Sequence, residues 1–228
     1  MAQIDAQLTT GLTGLDRMLK GLIPGDNIVW LVDALGDYEA FLLPYAMAAL
    51  NQGRPLTYFR FASHAPLLPE MPGVAVFQLD PREGFEKFTW QIHSVIERAG
   101  RGAFYAFDCL SDLAVDWHSD QMLANFFVLT CPYLLDMEAI AYFALRRNLH
   151  ATHTIDLIRD TAQVLLNVYR HEGRLYLQPV KVQQRYSATM HMLHAVQDES
   201  LVPVNDSATI TECTKILSRV KTKSCGIT

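Results

Sequence analysis

The strongest constraint on the fold is an alternation of two hydrophobic periods. Two short runs rich in apolar, β-branched or aromatic residues, Asn27–Val32 (NIVWLV) and Leu56–Phe61 (LTYFRF), are bounded by Gly, Pro or Asp and read as strands, and Gly73–Leu79 (GVAVFQL), Gly102–Asp108 (GAFYAFD) and Ala139–Leu145 (AIAYFAL) repeat the type. Near-continuous apolarity suits strands buried on both faces of a parallel sheet. Between them, Phe85, Phe88, Ile92, Val95 and Ile96, and then Met122, Phe126 and Tyr133, recur at helical spacing. Strand and helix alternate from residue 27 to about 161, which predicts an open α/β sheet whose ligand site lies at the carboxyl ends of the strands.

The pattern then changes. Ala162–Gln184 reads as two extended runs joined at His-Glu-Gly, a hairpin that adds antiparallel strands to the sheet. Val196–Asp206 (VQDESLVPVND) reads as a linker, and the last segment as a short helix with a basic end. The predicted organisation is one domain over residues 1–195 and a linker with a tail over 196–228.

Composition narrows the function. A net charge of -5 argues against nucleic acid as a partner, because phosphate backbones are held by clustered Lys and Arg. Cys109, Cys131, Cys213 and Cys225 form no C-x-x-C pair and read as free thiols of a reducing compartment. No apolar stretch approaches the ~18 residues of a membrane span, and the N-terminus shows no secretory pattern, so the expectation is a cytoplasmic protein without membrane contact.

Two local sequences then carry a resemblance. Thr10–Asp26 (TGLTGLDRMLKGLIPGD) has a Thr-Gly, a Gly-Leu-Asp and a Pro-Gly turn ahead of the first strand, and Phe104–Leu113 (FYAFDCLSDL) has an apolar strand ending in an Asp followed by a Ser-containing turn. With the order of elements, they make residues 8 to 190 similar to the RecA-like P-loop ATPase superfamily, KaiC-like branch. The resemblance implies a prokaryotic protein with a three-layer sandwich: a mostly parallel sheet, helices on both faces and a C-terminal hairpin. It also implies assembly into a homo-oligomer or with another protein, and Asp108 as the Walker B-like residue.

The phosphate loop of that family, G-x-x-x-x-G-K-[ST], falls on Val32, Asp33, Ala34, Leu35, Gly36, Asp37, Tyr38 and Glu39. One register puts Tyr38 at the lysine and Glu39 at the hydroxyl; the other puts Asp37 and Tyr38 there. Neither restores the chemistry. At ~4 Å and an effective dielectric of ~20, each like-charge contact of a carboxylate with a triphosphate costs about 4 kcal/mol. Pro44 would fall inside a helix starting near Gly36, so that helix either kinks or begins later. The family's acidic pair after the second core strand is replaced by Ala62 and Ser63, with His64 next.

The expectation is therefore a degenerate Walker A motif in a regulatory, scaffolding or oligomerisation module without catalytic residues, cofactor or metal. Two alternatives stay open. One is an ATPase using Mg-ATP through Asp108 and cations from Arg146, Arg147 or Lys181; the other is a small-ligand or cation sensor in which Asp33, Asp37, Glu39 and Asp108 converge in an acidic cleft. His64, Arg146, Arg147 and Lys181 are the further candidates for ligand or interface contact. The paired histidines His150/His153 and His191/His194 read as loop or interface residues rather than metal ligands. Ser111 and Asp112 have no histidine in a recognisable nucleophile arrangement, so a hydrolase triad is not expected.

Overall fold

The computed structural model describes residues 8–218. These hold strands β1 (Asn27–Val32), β2 (Leu56–Arg60), β3 (Val74–Gln78), β4 (Phe104–Phe107), β5 (Ile140–Arg146), β6 (Val164–His171), β7 (Arg174–Val182), β8 (His194–Gln197) and β9 (Ser200–Pro203). The helices are α1 (Thr13–Leu19), α2 (Leu35–Asn51), α3 (Phe85–Ala99), α4 (Leu110–Asp116), α5 (Asp120–Asp136), α6 (Thr152–Thr161) and α7 (Ser207–Ser218). All nine strands form one sheet in the order β3-β2-β4-β5-β1-β6-β7-β8-β9, parallel from β3 to β6 and antiparallel from β6 onward.

The two hydrophobic faces of the sheet define the layers. Ile28, Trp30 and Val32 of β1 share one core with Tyr142 of β5, Leu15 and Leu19 of α1, and Tyr38, Phe41 and Tyr45 of α2. Val29 and Leu31 point the other way, into a core with Phe143, Tyr105 and Phe107, the inner residues of α3 and α5, and Ile158 of α6. Every residue of β1 is buried, as the unbroken apolar run requires of a strand covered on both sides. A third, smaller cluster joins Tyr169 and Tyr176 to Cys213 of α7.

The β6–β7 hairpin closes through Glu172 and Gly173, whose φ values of 49° and 76° suit a two-residue turn matched to strand twist. Residues 196–203, read as linker in sequence, instead belong to β8 and β9. Gln197 pairs with Ser200 across a turn in which Asp198 takes φ 51°. Their short, half-exposed runs mix polar Gln197 and Ser200 with an exposed Val202 and a proline, which is why they resemble a linker. Beyond them α7 packs on β6, and the basic end expected after it lies outside the described residues, as does Cys225. The outermost parallel strand β3 also departs from the expectation of burial on both faces: Val76 is 58% exposed.

α2 begins at Leu35 and continues through Pro44. The proline deprives the Ala40 carbonyl of its helical donor, and Ala40 is exposed, so water can serve it. The chain crosses this turn at Gly11, φ 82°, where an added Cβ would stand 2.1 Å from the Pro44 oxygen. α6 takes up the His150–Asp160 stretch from Thr152 onward, where a loop is expected from sequence, and α4 begins where a Ser-containing turn was expected.

Candidate functional site

Two residues, Asp33 and Ala34, connect β1 to α2. A phosphate cradle needs a longer loop whose backbone N–H groups curl around the anion. Here Gly36 already lies inside the helix, and an added Cβ there would meet nothing within 4 Å. Tyr38, at the position expected for the lysine, points into the core. It is fully buried beside Trp30 at 6.4 Å between ring centroids, while Trp30 stacks on Phe41 at 4.4 Å and Tyr45 on Tyr142 at 3.9 Å. Burial pushes the Tyr38 hydroxyl far above the usual phenol range, and that hydroxyl has no hydrogen-bond partner.

The carboxyl end of β1 is occupied by the protein's own arginines. Arg147, just past β5, is 8% exposed and donates through Nη2 to the carbonyls of Leu31 (3.1 Å) and Val168 (2.7 Å). Its Nη1 reaches Asp33 at 3.3 Å, and the guanidinium lies 4.3 Å from the centre of the Tyr169 ring. Arg170 holds the buried Asp37 carboxylate through Nε at 2.8 Å and Nη2 at 2.6 Å. Glu39 is exposed on α2.

Asp108 belongs to a different place. An acidic cleft shared with Asp33 and Asp37 requires its strand to lie beside β1, but β5 lies between β4 and β1. Asp108 is fully buried; its Oδ2 accepts from the backbone N–H groups of Phe61 (2.9 Å) and Ala62 (3.0 Å), and its Oδ1 from the Tyr58 hydroxyl. Arg60 stands 3.6 Å away. The four carboxylates therefore do not form one acidic cleft: two are paired with arginines at the end of β1, one is exposed, and Asp108 ties β4 to the loop after β2.

Beside Asp108 lies the polar group Cys109, Ser111, Asp112, Arg146, His64 and His150. His64 donates through Nδ1 to the Ala65 carbonyl at 2.7 Å, leaving Nε2 3.8 Å from Asp112. Burial raises the Asp112 pKa, opposed by His64 and Arg146. Burial also pushes the Cys109 thiol up to about 11 and the Cys131 thiol to about 12, so both are poor nucleophiles at neutral pH. The three described cysteines are free and buried.

Sequence spacing missed a Ser–His–Asp chain. His150 bridges Asp120 (Nδ1 to Oδ1, 2.7 Å) and Ser111 (Nε2 to Oγ, 2.7 Å), while the other Asp120 oxygen accepts from the Ala151 N–H at 2.7 Å. The contacts have triad lengths, an arrangement that the sequence around Ser111 and Asp112 did not show. The chemistry differs. Ser111 is 3% exposed, and its Oγ also accepts from the Arg146 N–H at 2.9 Å, so the hydroxyl is committed on both sides. The chain ties α4, α5 and the β5–α6 connection together. Its members are 30 and 39 residues apart in sequence, so no local motif announces it.

Lys181 is likewise engaged internally, donating to the carbonyls of Arg159 (2.7 Å) and Asp160 (2.8 Å) at the end of α6. Desolvation by burial lowers its pKa. Among the described residues no three His, Cys, Asp or Glu side chains are grouped to hold a metal ion. No described helix is long and apolar enough to cross a membrane.

A cleft of about 610 Å³ lies outside the carboxyl ends of β2 and β3 against α4, with Phe61, Leu79, Gln91, Asp112 and Asp116 in its wall. The chain leaves β2 toward the sheet edge and leaves β4 toward the centre, so this is a point where connections diverge, the usual place for a ligand in an open α/β sheet. Neither the family models nor the curated proteins contain a match to the chain.

Proposed function

We propose that the protein is a RecA-like, KaiC-like domain that has given up nucleotide hydrolysis and works as a regulatory or scaffolding module through contacts with copies of itself or another protein. The order of elements and the hairpin after the parallel strands support the resemblance. The observation that carries the loss of function is Arg147. Its guanidinium fills the position at the end of β1, beside β6, with two backbone carbonyls, Asp33 and the Tyr169 face. A triphosphate entering there would have to displace a buried cation from four partners and face the carboxylates left behind. The alternative in which Arg146, Arg147 or Lys181 serves a neighbour's nucleotide is weakened, because Arg147 and Lys181 are already engaged within the chain.

Calorimetric titration with Mg-ATP and with ADP tests this reading. The expected result is no saturable binding at micromolar concentrations. Micromolar binding that protects Asp33–Asp37 amides from hydrogen exchange would overturn it.

The cleft beside α4 favours a second reading, a small-ligand sensor. Asp112 Oδ2, with His64 Nε2 3.8 Å away, and Gln91 Oε1 are buried acceptors without a hydrogen-bond partner, and both residues line that cleft. A ligand carrying N–H donors would satisfy them.

A further inference from the structure

We propose that the cleft between α1, β9 and the 187–189 segment binds an oxyanion of the phosphate class, either inorganic phosphate or the terminal group of a phosphate monoester. The cleft encloses about 430 Å³, and Arg17, Lys20, Ser187, Thr189, Ser200 and His194 contribute its polar lining, which includes no carboxylate. That is unusual on a chain with 24 acidic and 19 basic residues.

The cations are not consumed elsewhere. Arg17 and Lys20 form no ion pair among the described residues, and the Thr189 and Ser200 hydroxyls make no hydrogen bond there. Two cations and two O–H donors thus line one opening, the donor set an oxyanion needs, and the same two cations also border the adjoining cleft that holds Asp16. Cations in the last turn also complement the α1 dipole, which would account for Arg17 and Lys20 alone. It does not account for the hydroxyls brought in from two other segments.

The cleft is held open by a tight seam. Gly14 donates its N–H to the Glu199 carbonyl at 2.8 Å, and a Cβ on it would fall 2.5 Å from the Leu201 nitrogen. Only glycine lets α1 approach β9 so closely. On the other side Ser187 Oγ donates to the Met18 carbonyl at 2.8 Å. These two contacts fix the spacing of the three walls before any ligand arrives.

His194 supplies selectivity. Its Nδ1 donates to the Met192 carbonyl at 2.9 Å, and burial holds its pKa below the usual imidazole range, so at neutral pH the ring is uncharged and Nε2 is an acceptor. Hydrogen phosphate, or a hydroxyl beside a phosphate ester, brings a proton to that nitrogen; sulfate brings none.

The test is titration of the isotope-labelled full chain at low ionic strength with inorganic phosphate, with a phosphate monoester and with sulfate, followed by amide shifts. Saturable shifts at Gly14, Ser187–Thr189 and Ser200–Val202, weakened roughly tenfold or more in Arg17→Gln/Lys20→Gln, are expected. Both positions are exposed, and an unchanged melting temperature would show that the variant is folded. The tighter of the two phosphate ligands identifies the source. No saturable shift, equal binding by the double variant, or sulfate binding as tightly as phosphate would overturn the proposal. None of these outcomes depends on the β1–α2 connection, so the site stands or falls apart from the loss of nucleotide binding there.

Discussion

Replacing Asp108 by Asn separates a structural carboxylate from one kept for a magnesium ion. In the folded protein Asp108 accepts from two backbone N–H groups and the Tyr58 hydroxyl, with Arg60 as counter-charge. An Asn oxygen can keep the side facing Phe61 and Ala62, but its NH2 then faces the Tyr58 O–H, whose proton loses its acceptor, and Arg60 loses its anion. Charge-assisted hydrogen bonds contribute about 1.5–3 kcal/mol each, so Asp108→Asn should cost about 2–4 kcal/mol. Asp108→Ala strands three buried donors at about 1–3 kcal/mol each; water entering the space left behind would bring the total to about 3–5 kcal/mol, a large part of a typical 5–15 kcal/mol stability. Urea unfolding followed by tryptophan fluorescence measures both, with a shifted midpoint at unchanged slope. A carboxylate held in place for a metal usually stabilises when removed from the metal-free protein. An Asn variant as stable as the parent, or more so, would refute the structural role assigned to Asp108.

Gly36→Ala should raise stability by about 0.5–1 kcal/mol, since the residue is helical and its Cβ would meet nothing. Gly11→Ala should lower it by about 2–5 kcal/mol through its positive φ and the Pro44 oxygen 2.1 Å away; the opposite ranking in chemical denaturation would contradict both assignments. Tyr38→Phe should be neutral or stabilising because it removes a buried hydroxyl without a partner, whereas Tyr38→Lys, meant to restore a phosphate-loop lysine, should lower the melting temperature sharply and gain no ATP affinity. His93 and His194 both have pKa values lowered from 6.5 by burial, so the unfolded chain binds more protons below that pH. Their contribution to stability is present above pH 6.5 and is lost as pH falls through the lower folded values. A His93→Gln/His194→Gln variant should lose less stability than the parent between pH 7.5 and 5.5, with both midpoints read from urea curves; an equal loss would remove these histidines as the cause.

The sequence displayed what depends on one face or one run of residues and concealed what depends on strand order. β1, β2, β4 and β5 are legible because a strand covered on both sides must be apolar nearly throughout, and at β1, β2 and β4 Gly, Pro or Asp stands near an end. β3 has the same apolar content but sits at the edge, and nothing in Val-Ala-Val-Phe-Gln reports that one neighbour is missing. β8 and β9 fail for the opposite reason: a half-exposed antiparallel strand of four residues contains as many polar groups as a linker does.

The site was legible only as an absence. Missing glycines, lysine and hydroxyl at 32–39 are local facts, but the compensation for Asp33 and Asp37 comes from Arg147 and Arg170, 114 and 133 residues away. Those arginines follow β5 and end β6, the two strands that flank β1. Their meaning therefore depends on the order β5-β1-β6, which no spacing rule states. The same order undoes the acidic cleft expected from sequence, because inserting β5 between β4 and β1 sends Asp108 to Tyr58 and Arg60 instead. A carboxylate read from local sequence is thus no guide to local charge until the strand beside it is known. At this sheet end that neighbour brings a guanidinium, Arg147, which takes up Asp33 and the carbonyls of Leu31 and Val168.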